Sequence, residues 1–364
     1  MFFGFGLISD ILGPEPFEPQ FSCCHMTNPA PLLIRWYEIH GRDLPWRHTK
    51  DPYKIWLSEI ILQQTRIEQG KAYWERFVER FPTVQDLAEA DHDTVMKMWE
   101  GLGYYSRARN LHHTAKVVSN EMEGRFPNHW KELIKLKGIG PYTSRAIGSI
   151  AFDNKAAVID GNVFRVITRY LADFSPIDLP ETRKKLQELL DQWIANTDAA
   201  TFNQAVMDLG AMICTPRSPA CSMCPIQDAC RSRAEGCVEE LPIKAKKTKR
   251  KSQYLEFYLV GTEKQEVLIR RRPLKGVWAG LWEIPSLETE EKIWNHADKE
   301  GFELLGAFKH VLTHIDMMIK VYRGPQFPGP DQEGLISIPQ KEIDNYGFSR
   351  AVLKIFERYL GENP

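Results

Sequence analysis

Four of the seven cysteines fall within one short segment, and this arrangement constrains the fold more than any other feature of the 364-residue chain. They are Cys214, Cys221, Cys224 and Cys230, in the pattern C-x6-C-x2-C-x5-C. Four thiolates this close together can hold one compact inorganic centre, either a zinc ion or a [4Fe–4S] cluster. Pro216, Pro219 and Pro225 favour an irregular loop over a helix, which suits a polypeptide wrapped around such a centre.

The N-terminal sequence and the cysteine distribution argue against a secretory signal peptide and a disulfide framework. The apolar start MFFGFGLISDILG lacks the basic segment and cleavage site of a secretory signal peptide. We therefore expect residues 1–25 to be a disordered extension and the cysteines to stay reduced in a cytoplasm. No apolar run is long enough to cross a membrane. The net charge of -1 does not indicate a nucleic-acid partner, so any such partner must be argued from local sequence.

The hydrophobic period changes once along the chain, which predicts two domains. Residues 29–214 repeat apolar side chains at helical spacing, so this half is predicted to be mainly α-helical. KAKKTKRK at 244–251 holds six basic residues and no acid. We interpret it as a solvated tether, with a phosphate-binding strap as the alternative. We place the helical domain at 26–231, a basic linker at 232–251 and a second domain at 252–362.

The second domain is predicted to be α+β. Its predicted strands are YLEFYLVGT, EVLIRRRP, GLWEIPS, AFKHVLTHID and MMIKVYRGP. Its predicted helices are EEKIWNHADKEG and FSRAVLKIFERYL.

The stretch LKGIGPYTS at 136–144 predicts a tight turn between two helices. Gly138 and Gly140 permit backbone angles that other residues resist. Pro141 suits the first turn of the following helix, where its missing N–H costs nothing. The free N–H groups at that helix start can bind an anion such as a DNA phosphate. A plain turn without a ligand is the alternative, and the glycines alone do not decide between the two.

Two acidic residues occupy positions where a carboxyl group could take part in catalysis. Glu59 sits in the apolar run WLSEIILQQ, where partial burial would raise its pKa and let it carry a proton near neutrality. A solvent-facing helix position is the alternative for Glu59. Asp160 precedes Gly161 in VIDGNVFR. Its carboxylate either caps a helix or faces a cleft beside the hairpin, and the spacing leaves both possibilities open.

The hairpin, the VIDGNV segment and the cysteine spacing together resemble the helix-hairpin-helix DNA glycosylases with a [4Fe–4S] loop. That superfamily includes endonuclease III and adenine DNA glycosylase. Segments that resemble the adenine DNA glycosylase (MutY) branch are LPWR at 44–47, WLSEIILQQT at 56–65, GLGYYSRARN at 101–110 and FNQAVMDLGAMIC at 202–214. The resemblance covers about residues 26–362. It implies a cluster rather than zinc, held by the four cysteines and shaping a DNA-contacting loop.

The resemblance also implies the substrate, which is double-stranded DNA containing adenine mispaired with 8-oxoguanine or guanine. It implies a monomeric enzyme of base-excision repair that acts at the nucleoid in a bacterial cytoplasm. Cleavage of the N-glycosidic bond needs an acid for the leaving base and negative charge near the oxocarbenium-like sugar. Two carboxyl groups supply these in glycoside hydrolysis generally.

Roles of individual residues follow from the resemblance. Glu59 is implied to protonate adenine N7 and later to assist water. Asp160 is implied to stabilise the sugar cation or its covalent adduct, with Asn162 as its hydrogen-bond partner. The residues implied to line the adenine pocket are Arg42, Leu44, Trp46, Arg47, Leu62, Gln204 and Met207. Core packing is the alternative for Trp46.

Other residues are implied to contact the DNA. Gln64 and Tyr104 would push into the base stack as adenine is extruded, with Tyr104 next to 8-oxoguanine. Core packing is the alternative for Tyr104. Gly138 and Gly140, with the N–H groups after them, are implied to contact the DNA backbone and a cation.

Tyr142 distinguishes between two reaction types. Relatives that also cleave the DNA strand, such as endonuclease III, carry a lysine at this hairpin position, and its amine forms a Schiff base with the sugar. A phenol cannot form an imine, so hydrolysis without strand cleavage is predicted. Tyr142 is implied to lie against the sugar and the catalytic acid. One alternative is an endonuclease III-like glycosylase/lyase, against which Tyr142 and the second domain argue. The other is a non-catalytic iron–sulfur DNA-binding protein, against which Glu59 and Asp160 together argue.

In the second domain, RRRPLKGVWAGLWEIPSLE resembles part of a Nudix fold. The acidic R-E-x-x-E-E helix of active Nudix hydrolases is missing from it, so pyrophosphatase activity is not expected. In the MutY family this domain reads the 8-oxoguanine strand through an F-S-H loop, which corresponds to Leu312, Thr313 and His314. Thr313 keeps a hydroxyl suited to discriminate the oxidised base, whereas Leu312 lacks the stacking ring. An ordinary strand end is the alternative.

Overall fold

The computed structural model describes residues 27–245, 250–261, 264–291, 294, 300–330 and 332–360. The expected N-terminal extension, the middle of the basic segment and most of EEKIWNHADKEG lie outside these residues. The α-helices are α1 (Ala30–His40), α2 (Pro52–Ile61), α3 (Ile67–Arg80), α4 (Val84–Glu89), α5 (His92–Met98), α6 (Ser106–Glu121), α7 (Trp130–Leu133), α8 (Pro141–Phe152), α9 (Gly161–Leu171), α10 (Pro180–Ile194), α11 (Ala199–Met212), α12 (Arg231–Ala234) and α13 (Arg350–Tyr359). The strands are β1 (Lys251–Val260), β2 (Glu266–Arg271), β3 (Trp282–Glu283), β4 (Ser286–Thr289), β5 (Glu303–Val311), β6 (Ile315–Gly324) and β7 (Ile336–Pro339).

Helices α1 to α11 pack around one apolar core, as the helical periodicity predicted. Helix α2 begins after Asp51, whose carboxylate accepts from the Tyr53 N–H at 2.9 Å. Most of α2 is buried, including Trp56 and Ile61 at 0% exposure. The apolar run around Glu59 therefore reflects a central helix that packs against both α3 and α8.

The second domain contains two sheets and a covering helix, which confirms the α+β prediction. One sheet has the order β4-β1-β6-β5, with β1 and β6 parallel and the other pairs antiparallel. The other has the order β3-β2-β7 and is antiparallel. Helix α13 buries Val352, Ile355 and Phe356 against both sheets.

Three strand predictions differ from the structure. GLWEIPS is not one strand, because β3 covers only Trp282 and Glu283 and β4 begins at Ser286 in the other sheet. AFKHVLTHID is not one strand, because β5 ends at Val311 and β6 begins at Ile315, which makes Leu312, Thr313 and His314 the turn between them. Strand β7 was not predicted, because its pattern is short and half exposed. Its position is set by antiparallel pairing with the distant strand β2, in which Val267 lies opposite Ile338.

The segment after the cysteine loop packs on the helical domain as far as residue 245. The Leu241 carbonyl accepts from Arg169 Nε at 3.1 Å, and the Ile243 carbonyl accepts from the Ile177 N–H at 3.0 Å. Most of the N-terminal part of the expected linker, residues 232–251, is thus ordered against the helical domain. The last residue of that range, Lys251, is already the first residue of β1.

The two domains meet along α5, α6 and the turn between them. The buried hydroxyl of Tyr105 donates to the Phe348 carbonyl at 2.9 Å, and the Phe348 N–H donates to Glu100 at 3.0 Å. Leu281 of the second domain belongs to the core of the helical domain. The junction therefore holds the second domain beside the α5–α6 turn. No helix among the described residues is long and apolar enough to span a membrane.

Candidate active site

A cavity of about 230 Å³ lies where α2, α8, α9 and α11 meet. Eleven of the residues singled out from the sequence line it: Arg42, Leu44, Trp46, Arg47, Glu59, Leu62, Tyr142, Asp160, Asn162, Gln204 and Met207. They come from segments far apart in the chain, and the helix packing brings them together. Leu44 and Trp46 are each 7% exposed, so they form the apolar wall of the cavity as well as packing against the core.

Glu59 is on α2 and faces this cavity rather than bulk solvent. Burial raises the pKa of Glu59 from 4.5 to about 7, and the nearby Asp160 charge contributes to the rise. A hydrogen bond with Tyr142 and the Arg47 guanidinium oppose it. A carboxyl group with this pKa exchanges its proton close to neutral pH, as a general acid requires.

Asp160 is the N-cap of α9, so the capping alternative and the cleft alternative are both correct. One carboxylate oxygen accepts from the Val163 N–H at 2.7 Å, and the other accepts from Asn162 Nδ2 at 3.0 Å. Burial raises the pKa of Asp160, while these hydrogen bonds and the Arg165 charge oppose the rise. The capping bond fixes one edge of the carboxylate and leaves the group facing the cavity.

Tyr142 is the second residue of α8, the second helix of the hairpin, and lines the cavity together with both acids. Its hydroxyl donates to Met207 Sδ at 3.3 Å. Burial raises the pKa of Tyr142 well above its ordinary value, and the charges of Glu59 and Asp160 raise it further. The phenol is therefore neutral and able to donate a hydrogen bond in the site.

An ion cluster that the sequence did not reveal forms one side of the cavity. Asp208 is fully buried and accepts from Arg42 Nε at 2.9 Å and from Arg47 Nη1 at 2.8 Å. Burial alone would raise the pKa of Asp208, but the two guanidinium groups hold it below its usual range. Gln204 is held from the same side, because its Oε1 accepts from the Tyr37 hydroxyl. Asp208 and Tyr37 thus fix three residues that line the cavity.

The hairpin has the predicted shape, with one correction. Gly138 has φ +81°, and a Cβ there would lie 2.6 Å from Asn110 Cβ, so both conformation and space require glycine. Gly140 has φ -88° and ψ -179°, which any residue adopts, so the prediction that it needs unusual backbone angles is wrong. No atom lies within 4 Å of a Cβ built on Gly140. The turn therefore presents open backbone at the start of α8, where N–H groups lack intrahelical acceptors.

The residues implied to enter the base stack lie on exposed turns. Tyr104 is 45% exposed, so core packing does not explain it. Its hydroxyl is hydrogen-bonded to the hydroxyl of Thr313 in the second domain. Gln64 is also exposed, at the end of α2. The His314 carbonyl accepts from the Lys251 N–H at 3.0 Å, which anchors the β5–β6 turn.

The four cysteines of the loop lie beside two buried arginines of α9. Burial raises the pKa of Cys224 to about 12, with contributions from the thiols of the other three. Arg169 Nη1 donates to Cys214 Sγ at 3.4 Å, and Arg165 Nε donates to the Cys214 carbonyl at 2.7 Å. Arg165 and Arg169 are 7% and 1% exposed. These cations are suited to balance the charge of four thiolates. Their spacing of four residues places them on the same face of a helix, and this is the feature of the sequence by which they could have been found.

The donor set fits an iron–sulfur cluster. All four candidate ligands are sulfur, and cluster iron is held by cysteine thiolates. Among the described residues, no group of three or more His, Cys, Asp or Glu side chains is arranged to hold a single metal ion.

Three family models match successive parts of the chain. Residues 57–195 match the HhH-GPD superfamily of base excision DNA repair proteins. Residues 214–230 match the iron-sulfur binding domain of endonuclease III, so the cysteine loop holds a [4Fe–4S] cluster rather than zinc. Residues 257–358 match the NUDIX domain.

Curated relatives match nearly the whole chain. An adenine DNA glycosylase of Buchnera aphidicola subsp. Schizaphis graminum is 32% identical over an alignment of 338 positions that covers 90% of this chain and 97% of the relative. An adenine DNA glycosylase of Homo sapiens is 32% identical over an alignment of 406 positions, gaps included, that covers 91% of this chain and 74% of the relative. A solved thermostable thymine-DNA glycosylase is 33% identical with a TM-score of 0.53, and the match covers 57% of this chain and 95% of that one. The chain therefore belongs to the adenine DNA glycosylase family, within the helix-hairpin-helix base-excision repair superfamily.

Proposed function

We propose that the protein hydrolyses the N-glycosidic bond of adenine paired with 8-oxoguanine or guanine in double-stranded DNA, as a monomer at the nucleoid. The observation that carries this proposal is the pairing of Glu59 and Asp160 in one cavity, with the pKa of Glu59 raised to about 7. The domain division at 26–231 and 252–362 is part of the proposal. It assigns bond cleavage to the helical domain and reading of the opposite base to the second domain.

In the first step, Glu59 donates its proton to adenine N7. The C1′–N9 bond then breaks, its electron pair leaves with the base, and positive charge develops on the sugar. The Asp160 carboxylate faces that charge or bonds to C1′. Because Asn162 and the Val163 N–H hold this carboxylate at 3.0 and 2.7 Å, it needs little reorganisation as the charge appears.

In the second step, water supplies hydroxide to C1′ and its proton returns to the Glu59 carboxylate. The net reaction adds one water across the bond and restores both acids. Tyr142 offers no amine to the sugar, so the reaction ends at the abasic site without an imine. The [4Fe–4S] cluster, when bound, holds the DNA-contacting loop in shape and supplies no step of the hydrolysis.

The opposite base would be read across the domain junction. Support comes from the hydrogen bond between the hydroxyls of Tyr104 and Thr313, two residues that lie on exposed turns of different domains. A base held between them would meet an aromatic ring from one domain and a hydroxyl from the other. The hydroxyl can hydrogen-bond groups that differ between guanine and 8-oxoguanine.

A single-turnover assay tests this function. Purified protein with an intact cluster is mixed in excess with duplexes that contain adenine opposite 8-oxoguanine, guanine or thymine. We expect adenine release from the first two and little from the third, and sedimentation as a monomer. Failure to release adenine opposite 8-oxoguanine would refute the proposal. A borohydride-trapped covalent adduct would instead support an endonuclease III-like lyase.

A further inference from the structure

Two of the DNA-contacting candidates share an unusual backbone conformation. Gln64 has φ 59° and Tyr104 has φ 47°, the left-handed region that non-glycine residues rarely adopt. Both residues are exposed, so packing of their side chains does not hold them there. Such conformations persist only where neighbouring structure imposes them. Contacts from neighbouring structure therefore bear on the shape of these turns, and the hydrogen bond between the hydroxyls of Tyr104 and Thr313 reaches only one of them.

Arg107 contacts the start of both turns with one guanidinium group. Its Nη1 donates to the carbonyls of Ile60 and Ile61 at 2.7 and 3.1 Å, at the end of α2. Its Nη2 donates to the carbonyls of Leu102 and Gly103 at 3.1 and 3.3 Å, immediately before Tyr104. The side chain thus bridges the two turns directly.

The chemistry of arginine suits this bridge. The last carbonyls of a helix lack intrahelical donors, and a cation is favoured at that end of the helix dipole. Arg107 supplies both the missing hydrogen-bond donors and a positive charge to the C-terminal end of α2. Its planar group reaches two pairs of acceptors at once, which a lysine ammonium cannot do. The guanidinium also lies over the Trp99 ring at 5.1 Å and the Tyr104 ring at 5.6 Å from the centroids. Burial lowers the pKa of Arg107 to about 10, so it stays charged near neutral pH.

We propose that Arg107 is a positioning residue that locks the Gln64 and Tyr104 turns into one rigid unit, so that both side chains enter the base stack together. The inference rests on the proposed function, because it concerns base extrusion by that enzyme. Arg107 does not line the cavity that holds Glu59 and Asp160. Its loss should therefore impair extrusion of adenine and leave bond cleavage intact.

The test compares two substrates under single-turnover conditions. One duplex holds adenine opposite 8-oxoguanine, and the other holds an unpaired, bulged adenine that is already partly unstacked. In Arg107→Lys, we expect the rate on the paired substrate to fall about tenfold or more relative to the parent. On the bulged substrate the loss should shrink to about threefold or less, because little extrusion remains to be done.

Arg145→Lys is the matched control. Arg145 is also partly buried, donates to the Asp191 carboxylate at 2.8 Å and to the Ala157 carbonyl at 3.4 Å, and lies 4.2 Å from the centroid of the Trp130 ring. Any loss in this variant should be equal on the two substrates, since Arg145 touches neither turn. In Glu59→Gln the rate of adenine release should fall equally on the paired and the bulged substrate. This comparison separates a defect in bond cleavage from a defect in base extrusion.

Hydrogen exchange supplies a measurement that does not depend on catalysis. When the parent protein binds undamaged duplex, the amides of 62–65 and 102–105 should gain protection together. In Arg107→Lys they should lose protection together. An equal loss of rate on both substrates, or a change in protection confined to one turn, would overturn the proposal. Absence of adenine release by the parent would instead overturn the proposed function.

Discussion

Replacing Glu59 by glutamine should make the protein more stable and inactive at the same time. The carboxyl group lies in a cavity walled by protein, and burial raises its pKa from 4.5 to about 7. A shift of this size corresponds to about 3 kcal/mol at about 1.36 kcal/mol per pKa unit. Part of the side chain is open to the cavity, so screening by solvent reduces the figure to about 1–3 kcal/mol.

The sign of the effect depends on pH. Between the ordinary pKa of 4.5 and the folded value of about 7, the folded protein binds more protons than the unfolded chain. The free energy of unfolding therefore falls as pH rises through this window, and the whole cost is present above about pH 7. Glutamine carries no charge and avoids that cost. The gain in stability from Glu59→Gln should be about 1–3 kcal/mol at pH 8 and close to zero near pH 4.5.

The assay has two parts. Apparent Tm is measured for parent and variant at equal scan rates across that pH range, where about 1 kcal/mol corresponds to roughly 2–4 °C for a domain of this size. Adenine release is measured in a single turnover, where loss of a general acid costs about 10²–10⁴-fold. In the parent, the rate should fall as pH rises above about 7, because the protonated acid is lost.

Either of two results would contradict this account of Glu59. One is a Tm difference between variant and parent that does not grow with pH. The other is adenine release by the variant at the parental rate. Retained binding of the duplex by the variant is the control that the DNA surface is intact.

Four further changes have defined outcomes. Asp160→Asn should keep the cap on Val163, because Asn caps as well as Asp, and should leave Tm at or above the parental value, because burial raises the pKa of Asp160 and Asn carries no charge, while adenine release falls about 100-fold or more; an unchanged rate would remove Asp160 from the mechanism. Cys224→Ser should lower iron content and the visible absorption of the cluster, and a spectrum equal to the parent's would exclude Cys224 as a ligand. Thr313→Ala should reduce the preference for 8-oxoguanine over guanine about fivefold, measured as the ratio of rates on the two mispairs; an unchanged ratio would exclude the hydroxyl as a reader. Tyr142→Lys should give a borohydride-trapped adduct that the parent lacks, and no adduct would show that this position does not reach the sugar.

The sequence predicted features that local pattern determines. The helical and α+β halves follow from hydrophobic period, and the cysteine loop follows from dense spacing of one residue type. Glu59 could be noticed because an acid in an apolar run is unusual, whereas Asp160 occupies a common capping position and was singled out through the family resemblance. Their meeting in one cavity depends on the packing of α2 against α8 and of α9 against α11, which no local pattern states.

The missed residues depend on contacts between distant segments. In the sequence, Asp208 is a single polar residue of a predicted helix. Only the fold shows that Arg42 and Arg47 form ion pairs with it. Arg107 reads as a solvated charge within GLGYYSRARN, although its carbonyl partners lie on another helix. Gly140 was misjudged for a different reason, because a glycine can be chosen for the space it leaves rather than for its backbone angles.

The junction between the domains bears on how such a chain can be shortened or recombined. Leu281 completes the core of the helical half, and Phe348 satisfies both the Tyr105 hydroxyl and Glu100. A helical half expressed alone would expose to water the apolar surface that Leu281 covers and lose the hydrogen bonds of Tyr105 and Glu100 to Phe348. Truncated or exchanged versions would therefore lose stability while every DNA-contacting residue of the helical half was still present. The two halves have separate cores and separate folds, yet they are not interchangeable parts.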